Sequence, residues 1–178
     1  MHPDLKDILI PEHRLQKRLQ ELALQLKSNY ADKEPVIIGI LKGAAIFLSD
    51  IVRLLDFPVQ IDFMALSSYG TSTKSSGVVK IRKDIDIDIL NRHVIVIEDI
   101  VDSGLTLQYI IDYLKKHHPL SVSVCALLDK PEAHKTDIRI DYLGFEIENA
   151  FVVGYGLDYS ERYRNLPYIG ILKKEIYT

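Results

Sequence analysis

The chain has 178 residues, of which 47% are hydrophobic and 26% are charged, proportions that are ordinary for a folded globular protein. Its formal net charge of −3 gives no basic footprint, so nucleic acid is not an expected partner. No apolar run approaches the roughly 20 residues that span a bilayer and the N-terminal residues lack a signal-peptide pattern, so a membrane is not an expected partner either.

The single cysteine, Cys125, lies in the apolar segment 121–128 and has no second cysteine with which to form a disulfide. This usage is typical of a reducing compartment, and we expect a cytoplasmic protein. The sequence contains no internal repeat, low-complexity tract or linker-like segment. We therefore expect a single domain over residues 1–178, which is long enough to bury a core.

The first part of the chain predicts helices and strands in alternation. Segment 11–30 carries leucines at spacings of four, three and four residues, which predicts an amphipathic helix with Pro11 in its first turn. The unbroken apolar run 36–41 predicts a buried strand, and segment 42–55 predicts a loop that passes into a helix. Alternating apolar residues predict a further strand at 59–66.

Segment 67–77 has many hydroxyl-bearing residues and almost no apolar ones, so it cannot contribute to a core. A loop of this length usually has a function of its own. We therefore predict a loop with a functional role at 67–77.

The second half of the chain continues the alternation, with strands predicted at 78–81 and 94–97, a helix at 105–117 and a buried strand at 121–128. Shorter strands are predicted at 141–145, 151–154 and 168–172. This order predicts the α/β class, with a mostly parallel sheet and helices on both of its faces. Ligands of such sheets bind at the carboxyl ends of the strands.

Three carboxylates, Glu98, Asp99 and Asp102, crowd the end of the apolar strand that begins at Val94. Burying a polar group without a partner costs about 2–7 kcal/mol, and an ion costs more, so we expect a ligand to compensate these side chains. Glu98 and Asp99 can accept hydrogen bonds from sugar hydroxyls, or they can hold a hard cation such as Mg²⁺.

Residues 102–106 lie between this strand and the start of a predicted helix. The free N–H groups and the positive end of the helix dipole favour a phosphate group at such a place. Gly104 allows a close approach of the backbone, and the hydroxyls of Ser103 and Thr106 add hydrogen-bond donors. The alternative is an ordinary helix N-cap by Ser103 or Asp102. A phosphate site beside acids that bind a diol or Mg²⁺ describes a ribose 5-phosphate site.

The stretch VIVIEDIVDSGLT, at 94–106, resembles the signature of the type I phosphoribosyltransferases, which bind 5-phosphoribosyl 1-pyrophosphate. Further segments resemble the hypoxanthine-guanine branch of that family: ILKGA at 40–44, SSYG at 67–70, LLDKPEAH at 127–134, DYLGFEI at 141–147 and the stretch 151–172. The resemblance runs from about residue 8 to residue 172. It implies the type I phosphoribosyltransferase fold, in which a central, mostly parallel sheet is flanked by helices and the chain ends form a small hood.

The activity that the resemblance implies is purine salvage. The enzymes transfer a phosphoribosyl group from 5-phosphoribosyl 1-pyrophosphate to N9 of hypoxanthine or guanine, with Mg²⁺ as cofactor, and release IMP or GMP and pyrophosphate. A homodimer or homotetramer is also implied.

Two alternatives belong to other classes. A regulatory protein that keeps this fold to sense nucleotides predicts a basic face or an added DNA-binding domain, and the net charge of −3 argues against it. A receiver-type signalling domain would place its acid pair after the first strand, which this chain does not do.

The resemblance also implies roles for single residues. Asp102 is the implied general acid or base at purine N7, while Glu98 and Asp99 meet the ribose 2′- and 3′-hydroxyls directly or through Mg²⁺. The implied contacts of 5-phosphoribosyl 1-pyrophosphate are Lys42, Gly43, Ser68, Tyr69, Glu98, Asp99, Asp102, Ser103, Gly104, Leu105, Thr106 and Arg164. The implied metal ligands are Glu98, Asp99 and Asp158. A lid over the reacting groups is implied at about residues 67–77.

The implied purine site consists of Arg139, Phe151, Val152, Leu157 and Asp158. Phe151 stacks on the base, the backbone of Val152 reads its N1/C2 edge, and Leu157 covers its other face. The branch usually has a lysine where this chain has Arg139, in IRIDYLGFE. A cation there donates to a 6-oxo group and disfavours the 6-amino group of adenine.

Overall fold

The computed structural model describes residues 1–68 and 79–178. These residues form a six-stranded sheet, a three-stranded sheet and the helices between and after their strands. The strands are β1 (Leu5–Ile10), β2 (Val36–Leu41), β3 (Gln60–Ser68), β4 (Val79–Lys83), β5 (His93–Val101), β6 (Ser121–Asp129), β7 (Tyr142–Glu146), β8 (Val152–Val153) and β9 (Ile169–Leu172). The helices are α1 (Glu12–Tyr30), α2 (Ala44–Val52), α3 (Leu105–Lys115) and α4 (Lys174–Tyr177), and a 3₁₀ turn spans Pro131–Ala133.

The main sheet has the strand order β4-β3-β2-β5-β6-β7. Neighbouring strands from β3 to β7 are parallel, and β4 is antiparallel at the edge. The central strands β2 and β5 pair Val36 with Val94, and both strands are buried over most of their length. Their unbroken apolar runs are what parallel strands covered on both faces require. The carboxyl ends of β2, β5 and β6 therefore lie side by side.

Helices cover both faces of the main sheet, as the alternation of elements predicts. On one face, the leucine stripe of α1 and the apolar side of α2 pack with Ile37 and Ile95. On the other face, Leu107, Ile110 and Leu114 of α3 pack with Val36 and Val94. Successive residues of β2 and β5 thus point to opposite faces, as in any pleated strand.

The chain ends form the second sheet, in the order β1-β9-β8, and this confirms the expected hood. Strand β9 pairs antiparallel with β1 and with β8. Its small core contains Leu5, Val153, Tyr163 and Leu172. Through this sheet the segment that begins at β8 is held beside the carboxyl edge of the main sheet.

Some elements differ from the sequence prediction. Strand β1 was not predicted, because only Leu5 and Ile10 at its ends are buried and the residues between them show no strict alternation. Helix α4 was not predicted either. The proposed lid at 67–77 lies almost entirely outside the described residues: Ser68 ends β3, and Tyr69 is not described. No helix in the described ranges is both long enough and apolar enough to cross a membrane.

Candidate active site

Segments from three strands of the main sheet and one loop of the hood meet at a single edge. Residues 41–43 leave β2, residues 98–106 join β5 to α3, and residues 129–130 end β6. The loop 154–164, which follows β8, packs against the residues that leave β2. A crevice at the carboxyl ends of parallel strands is the usual ligand site of such sheets.

Two glycines allow these segments to approach one another. The peptide bond between Leu41 and Lys42 is cis, and Gly43 follows it. A Cβ added at Gly43 would lie 1.6 Å from Asp99 Oδ2, so the carboxylate fills the space that any other side chain would need. A Cβ at Gly156 would lie 2.1 Å from the carbonyl oxygen of Gly43. Only glycine at both positions lets the three segments pack this closely around the crevice.

The adjacent acids Glu98 and Asp99 have few hydrogen-bond donors around them. Glu98 Oε2 is inaccessible to solvent and has no hydrogen-bond partner among the described residues, although the residue as a whole keeps partial exposure. Burial raises the pKa of Glu98 well above its ordinary value, and the Asp99 carboxylate adds to the rise. Burial also raises the pKa of Asp99, whose Oδ1 accepts a hydrogen bond of 2.9 Å from the Ile100 N–H. Such a pair in a cleft indicates a functional site.

The turn between β5 and α3 has the backbone of an anion site. Gly104 is the N-cap of α3 and has a φ of 77°, in the left-handed region that favours glycine. Ser103 Oγ accepts only a long hydrogen bond of 3.4 Å from the Leu105 N–H, so neither Ser103 nor Asp102 is the N-cap. A cavity of about 140 Å³ at this turn is lined by Glu98, Ile100, Val101, Asp102, Ser103, Gly104, Thr106 and Leu107. The predicted phosphate residues of this turn are thus brought together.

A second loop supports the turn from behind. The Lys135 N–H donates to the carbonyl oxygen of Ser103 at 2.9 Å. A Cβ added at Gly104 would lie 2.6 Å from Thr136 Oγ1, a buried hydroxyl without a partner in the described ranges. Residues 135–136 therefore pack directly against the left-handed turn at Gly104.

A second cavity, of about 280 Å³, adjoins the carboxylates. Its lining consists of Asp99, Ile100, Asp102, Lys130, Phe151, Val152, Leu157 and Asp158. Four of the five predicted purine residues therefore lie together, beside the predicted general acid or base Asp102. Val152 and Leu157 are buried, whereas the Phe151 side chain is 37% exposed. An apolar wall with a few polar groups is typical of a small-molecule site.

Lys130 also lines this cavity, although the sequence analysis did not assign it to the site. It is 7% exposed, and its Nζ lies 3.7 Å from Asp102 Oδ2. Its N–H donates to the carbonyl oxygen of Val101 at 3.0 Å, and His134 Nε2 lies 2.6 Å from Asp129 Oδ1 across the turn that follows. The signal in the sequence is the position of Lys130 directly after a buried strand, where ligands bind.

The structure does not bring Arg139 to the purine cavity, which corrects the placement expected from the sequence. Its side chain is 89% exposed, and its Nε lies 2.9 Å from Asp141 Oδ1. Asp141 in turn accepts a hydrogen bond of 2.9 Å from the Val124 N–H of β6. Arg139 is thereby held at a separate cavity, which it lines together with Gln108 and Lys115.

Lys42 and Arg164, the two cations that the resemblance assigns to pyrophosphate, share one acidic neighbour. Lys42 Nζ lies 3.0 Å from Glu161 Oε2, and this contact lowers the pKa of Glu161. Arg164 Nη2 lies 3.6 Å from the same oxygen and 2.8 Å from Asp158 Oδ1, while its Nη1 donates to the carbonyl oxygen of Gly156 at 2.7 Å. Both cations therefore lie beside the loop that carries Asp158.

The implied metal ligands are only partly brought together. Asp99 and Asp158 line the same cavity, and Glu98 lines the neighbouring one. Within residues 1–68 and 79–178, no group of three or more His, Cys, Asp or Glu side chains could hold a metal ion. Mg²⁺ in phosphate-handling sites uses one or two carboxylates together with substrate oxygens and water. Two carboxylates on one cavity fit that requirement.

Comparison with known proteins defines first the class and then the family. The model of the phosphoribosyl transferase domain family matches residues 7–160. A hypoxanthine-guanine phosphoribosyltransferase of Bacillus subtilis is 50% identical over 99% of this chain and 98% of its own length. A hypoxanthine phosphoribosyltransferase structure from Staphylococcus aureus superposes with a TM-score of 0.96 at 48% identity, covering 100% of this chain and 97% of that one.

A bifunctional TilS/HprT protein of Listeria monocytogenes is 51% identical over 100% of this chain, which spans 28% of that protein's length. These findings confirm the resemblance seen in the sequence. The chain belongs to the hypoxanthine-guanine phosphoribosyltransferase family.

Proposed function

We propose that this enzyme catalyses the Mg²⁺-dependent transfer of a phosphoribosyl group from 5-phosphoribosyl 1-pyrophosphate to N9 of hypoxanthine or guanine, in purine salvage. The observation that carries the proposal is the junction of three parts in one crevice. These are the anion-binding turn at Gly104, the acid pair of Asp99 and Glu98, whose Oε2 has no partner in the described ranges, and the cavity between Phe151 and Lys130. A nucleoside monophosphate needs a phosphate site, a sugar site and a base site in this order.

The phosphate and the sugar are assigned to the β5–α3 segment. The N–H groups that follow Gly104 point out of the start of α3 and bind the 5′-phosphate. The carboxylates of Glu98 and Asp99 accept hydrogen bonds from the two ribose hydroxyls. As pyrophosphate leaves, positive charge develops on the ribose, and these fixed carboxylates stabilise it.

The base is assigned to the cavity beside Asp102. Phe151 stacks on the ring, and the buried ammonium of Lys130 donates to the 6-oxo group. Lys130 thus takes the role that the resemblance implies for Arg139. The bond from N9 to ribose C1 forms as the bond from C1 to pyrophosphate breaks, and Asp102 accepts the proton that the purine loses at N7. The amino group of adenine is a donor and would leave Lys130 unpaired.

Lys42, Arg164 and the carboxylates of Asp99 and Asp158 are assigned to the pyrophosphate end. Arginine suits bidentate phosphate binding, and the exposed ion pair of Lys42 with Glu161 costs little to exchange for a phosphate oxygen. Asp99 and Asp158 would hold Mg²⁺ together with substrate oxygens. When bound, Mg²⁺ neutralises part of the negative charge of the leaving pyrophosphate.

The test is a steady-state assay with 5-phosphoribosyl 1-pyrophosphate, Mg²⁺ and each of hypoxanthine, guanine, xanthine and adenine. We expect turnover with hypoxanthine and guanine and none with adenine. The absence of turnover with all four bases would overturn the proposal.

A matched pair of variants tests the base site. We expect Lys130→Met to raise the KM for hypoxanthine by about 10–100-fold, the loss expected for one hydrogen bond to a charged donor. Arg139→Met removes the same charge from the separate cavity, and we expect less than about a twofold change. A large effect of Arg139→Met with a small effect of Lys130→Met would restore the placement that the sequence suggests.

The lid at 67–77, the homodimer or homotetramer, the single domain and the cytoplasmic location stay predictions. A nucleotide-sensing role has no support from the Bacillus subtilis and Staphylococcus aureus relatives, which are phosphoribosyltransferases that this chain matches over 98% and 97% of their lengths. Sedimentation of the purified protein tests the oligomer.

A further inference from the structure

The ring of Phe151 is held by two tyrosines outside the purine cavity. Tyr177 of α4 stacks on it, with ring centroids 4.6 Å apart and an interplanar angle of 18°. Tyr159 meets it edge-to-face, at 5.6 Å and 86°. Stacked and edge-to-face contacts are the favoured geometries of aromatic pairs, and together they fix both the position and the plane of the Phe151 ring.

The hood brings Tyr177 to this place from the end of the chain. The carbonyl oxygen of Phe151 accepts a hydrogen bond of 2.9 Å from the Leu172 N–H, so β9 holds the backbone of the stacking residue. The Lys173 N–H then donates to the carbonyl oxygen of Asp4 at 3.0 Å, and one helical turn follows. The same strand therefore anchors Phe151 through its backbone and through the tyrosine that covers its ring.

Tyr177 stacks on Phe151 but does not line the purine cavity, so we place it on the ring face that is turned away from the cavity. Phe151 lines the cavity of about 280 Å³ and is 37% exposed, so part of its surface is available to a ligand. A purine on that surface becomes the third ring in a stack that runs from Tyr177 through Phe151 to the base.

We propose that Tyr177 is a positioning residue for the purine, because it holds the Phe151 ring parallel to the plane of the base before the base arrives. The inference rests on the proposed function and extends it to a residue of the C-terminal helix. A ring that is already fixed loses no rotational freedom when the base binds, which strengthens binding. The effect is confined to the base, since other residues bind the phosphate and the sugar.

The experiment compares two ligands in three variants of the full chain. The dissociation constants of IMP and of ribose 5-phosphate are measured by calorimetry for Tyr177→Ala, Tyr177→Leu and Tyr177→Phe, with circular dichroism as the check on folding. We expect Tyr177→Ala and Tyr177→Leu to weaken IMP binding by about 3–10-fold and to leave ribose 5-phosphate within about twofold. Tyr177→Phe keeps the aromatic face and should retain the wild-type affinity for both ligands.

Kinetics give an independent readout. In Tyr177→Leu the KM for hypoxanthine should rise by the same factor as the dissociation constant of IMP, while the KM for 5-phosphoribosyl 1-pyrophosphate stays constant. Equal weakening of IMP and ribose 5-phosphate would show a general structural role and overturn the inference. Tighter IMP binding in Tyr177→Ala would also overturn it, since the tyrosine would then compete with the base. A wild-type protein that turns over no purine overturns the proposed function and this inference with it, whereas normal turnover with unchanged IMP binding in Tyr177→Leu overturns the inference alone.

Discussion

Asp62 and Glu98 are carboxylates on two strands of the main sheet, and the two side chains differ in the hydrogen-bond donors that surround them. Asp62 on β3 is 6% exposed, and both of its carboxylate oxygens are hydrogen-bonded. Its backbone donors are the N–H groups of Phe63 at 2.7 Å, Asp86 at 2.6 Å and Ile87 at 2.9 Å. Glu98 on β5 has a buried Oε2 with no partner in the described part of the chain.

The pKa values of the two carboxyls shift in opposite directions, in agreement with this difference in hydrogen-bond donors. Burial alone would raise the pKa of Asp62, but the N–H groups of Ile87, Phe63 and Asp86 and the Lys83 ammonium outweigh burial, and its pKa is lowered. Burial raises the pKa of Glu98, and the adjacent Asp99 carboxylate reinforces the rise. A buried carboxylate whose donors come from its own chain is structural, whereas one without donors is available to a ligand.

The largest expected effect is on catalysis. We expect Asp99→Asn to lower kcat with hypoxanthine by about 100–1,000-fold, because a neutral amide cannot stabilise positive charge on the ribose as a carboxylate does. The folding stability should change little, since the amide oxygen can still accept the hydrogen bond from the Ile100 N–H. Steady-state kinetics and urea unfolding measure the two quantities. A kcat within about tenfold of the wild type would contradict the electrostatic role.

Asp62→Asn is the matched control, because it makes the same chemical change in the same sheet. Asp62 Oδ1 faces the Phe63 N–H, and its Oδ2 faces two further N–H groups, so either orientation of an amide points NH₂ at a donor. We expect the free energy of unfolding to fall by about 2–3 kcal/mol, as for a lost hydrogen bond to a buried charged group. The kcat of the folded protein should stay unchanged, and a large loss of kcat would show that the two regions are coupled.

The contrast also shows what the sequence could predict. The chemistry of residues 98–106 is contained in one short segment, since an apolar strand, two acids and a glycine before a helix are adjacent in the chain. Their meeting with Gly43 requires β2 and β5 to be parallel neighbours. The apolar runs predict parallel strands but not which strands are neighbours. Most of the predicted site residues in the described ranges therefore line two adjoining cavities.

The residues that the sequence analysis missed or misplaced depend on contacts between distant segments. Arg139 is directed to its separate cavity by the hydrogen bond of Asp141 to β6, which no local pattern predicts. The stack of Tyr177 on Phe151 requires β9 to pair with β8 and the chain to turn back beyond it. Asp62 is an ordinary residue of an alternating strand in the sequence, because two of its donors, the N–H groups of Asp86 and Ile87, come from the distant segment before β5.

A smaller effect is expected when the unpartnered acid is neutralised. We expect Glu98→Gln to raise the free energy of unfolding by about 0.5–2 kcal/mol at pH 7, the gain that single stabilising substitutions commonly give. The variant removes a charge that burial disfavours and keeps the shape of the side chain. Hypoxanthine turnover should fall at the same time, because the carboxylate that binds the sugar is lost. Destabilisation by Glu98→Gln would show that Glu98 is a structural residue like Asp62.

The smallest effect is the pH dependence of these two stability differences, and its sign separates the two regions. The folded-state pKa of Asp62 lies below its unfolded value, so its stabilisation is complete above the unfolded pKa of about 3.9 and is lost as the pH falls through the folded pKa. The folded-state pKa of Glu98 lies above its unfolded value of about 4.3, so the wild type loses stability as the pH rises from there through the folded pKa. We therefore expect the deficit of Asp62→Asn to shrink below about pH 4, and the gain of Glu98→Gln to vanish in the same range. Urea unfolding of the wild type and both variants between about pH 3.5 and 7 measures both differences. If the stability gain of Glu98→Gln over the wild type were largest at the acidic end of this pH range, the assignment of Glu98 as a buried acid without donors would be wrong.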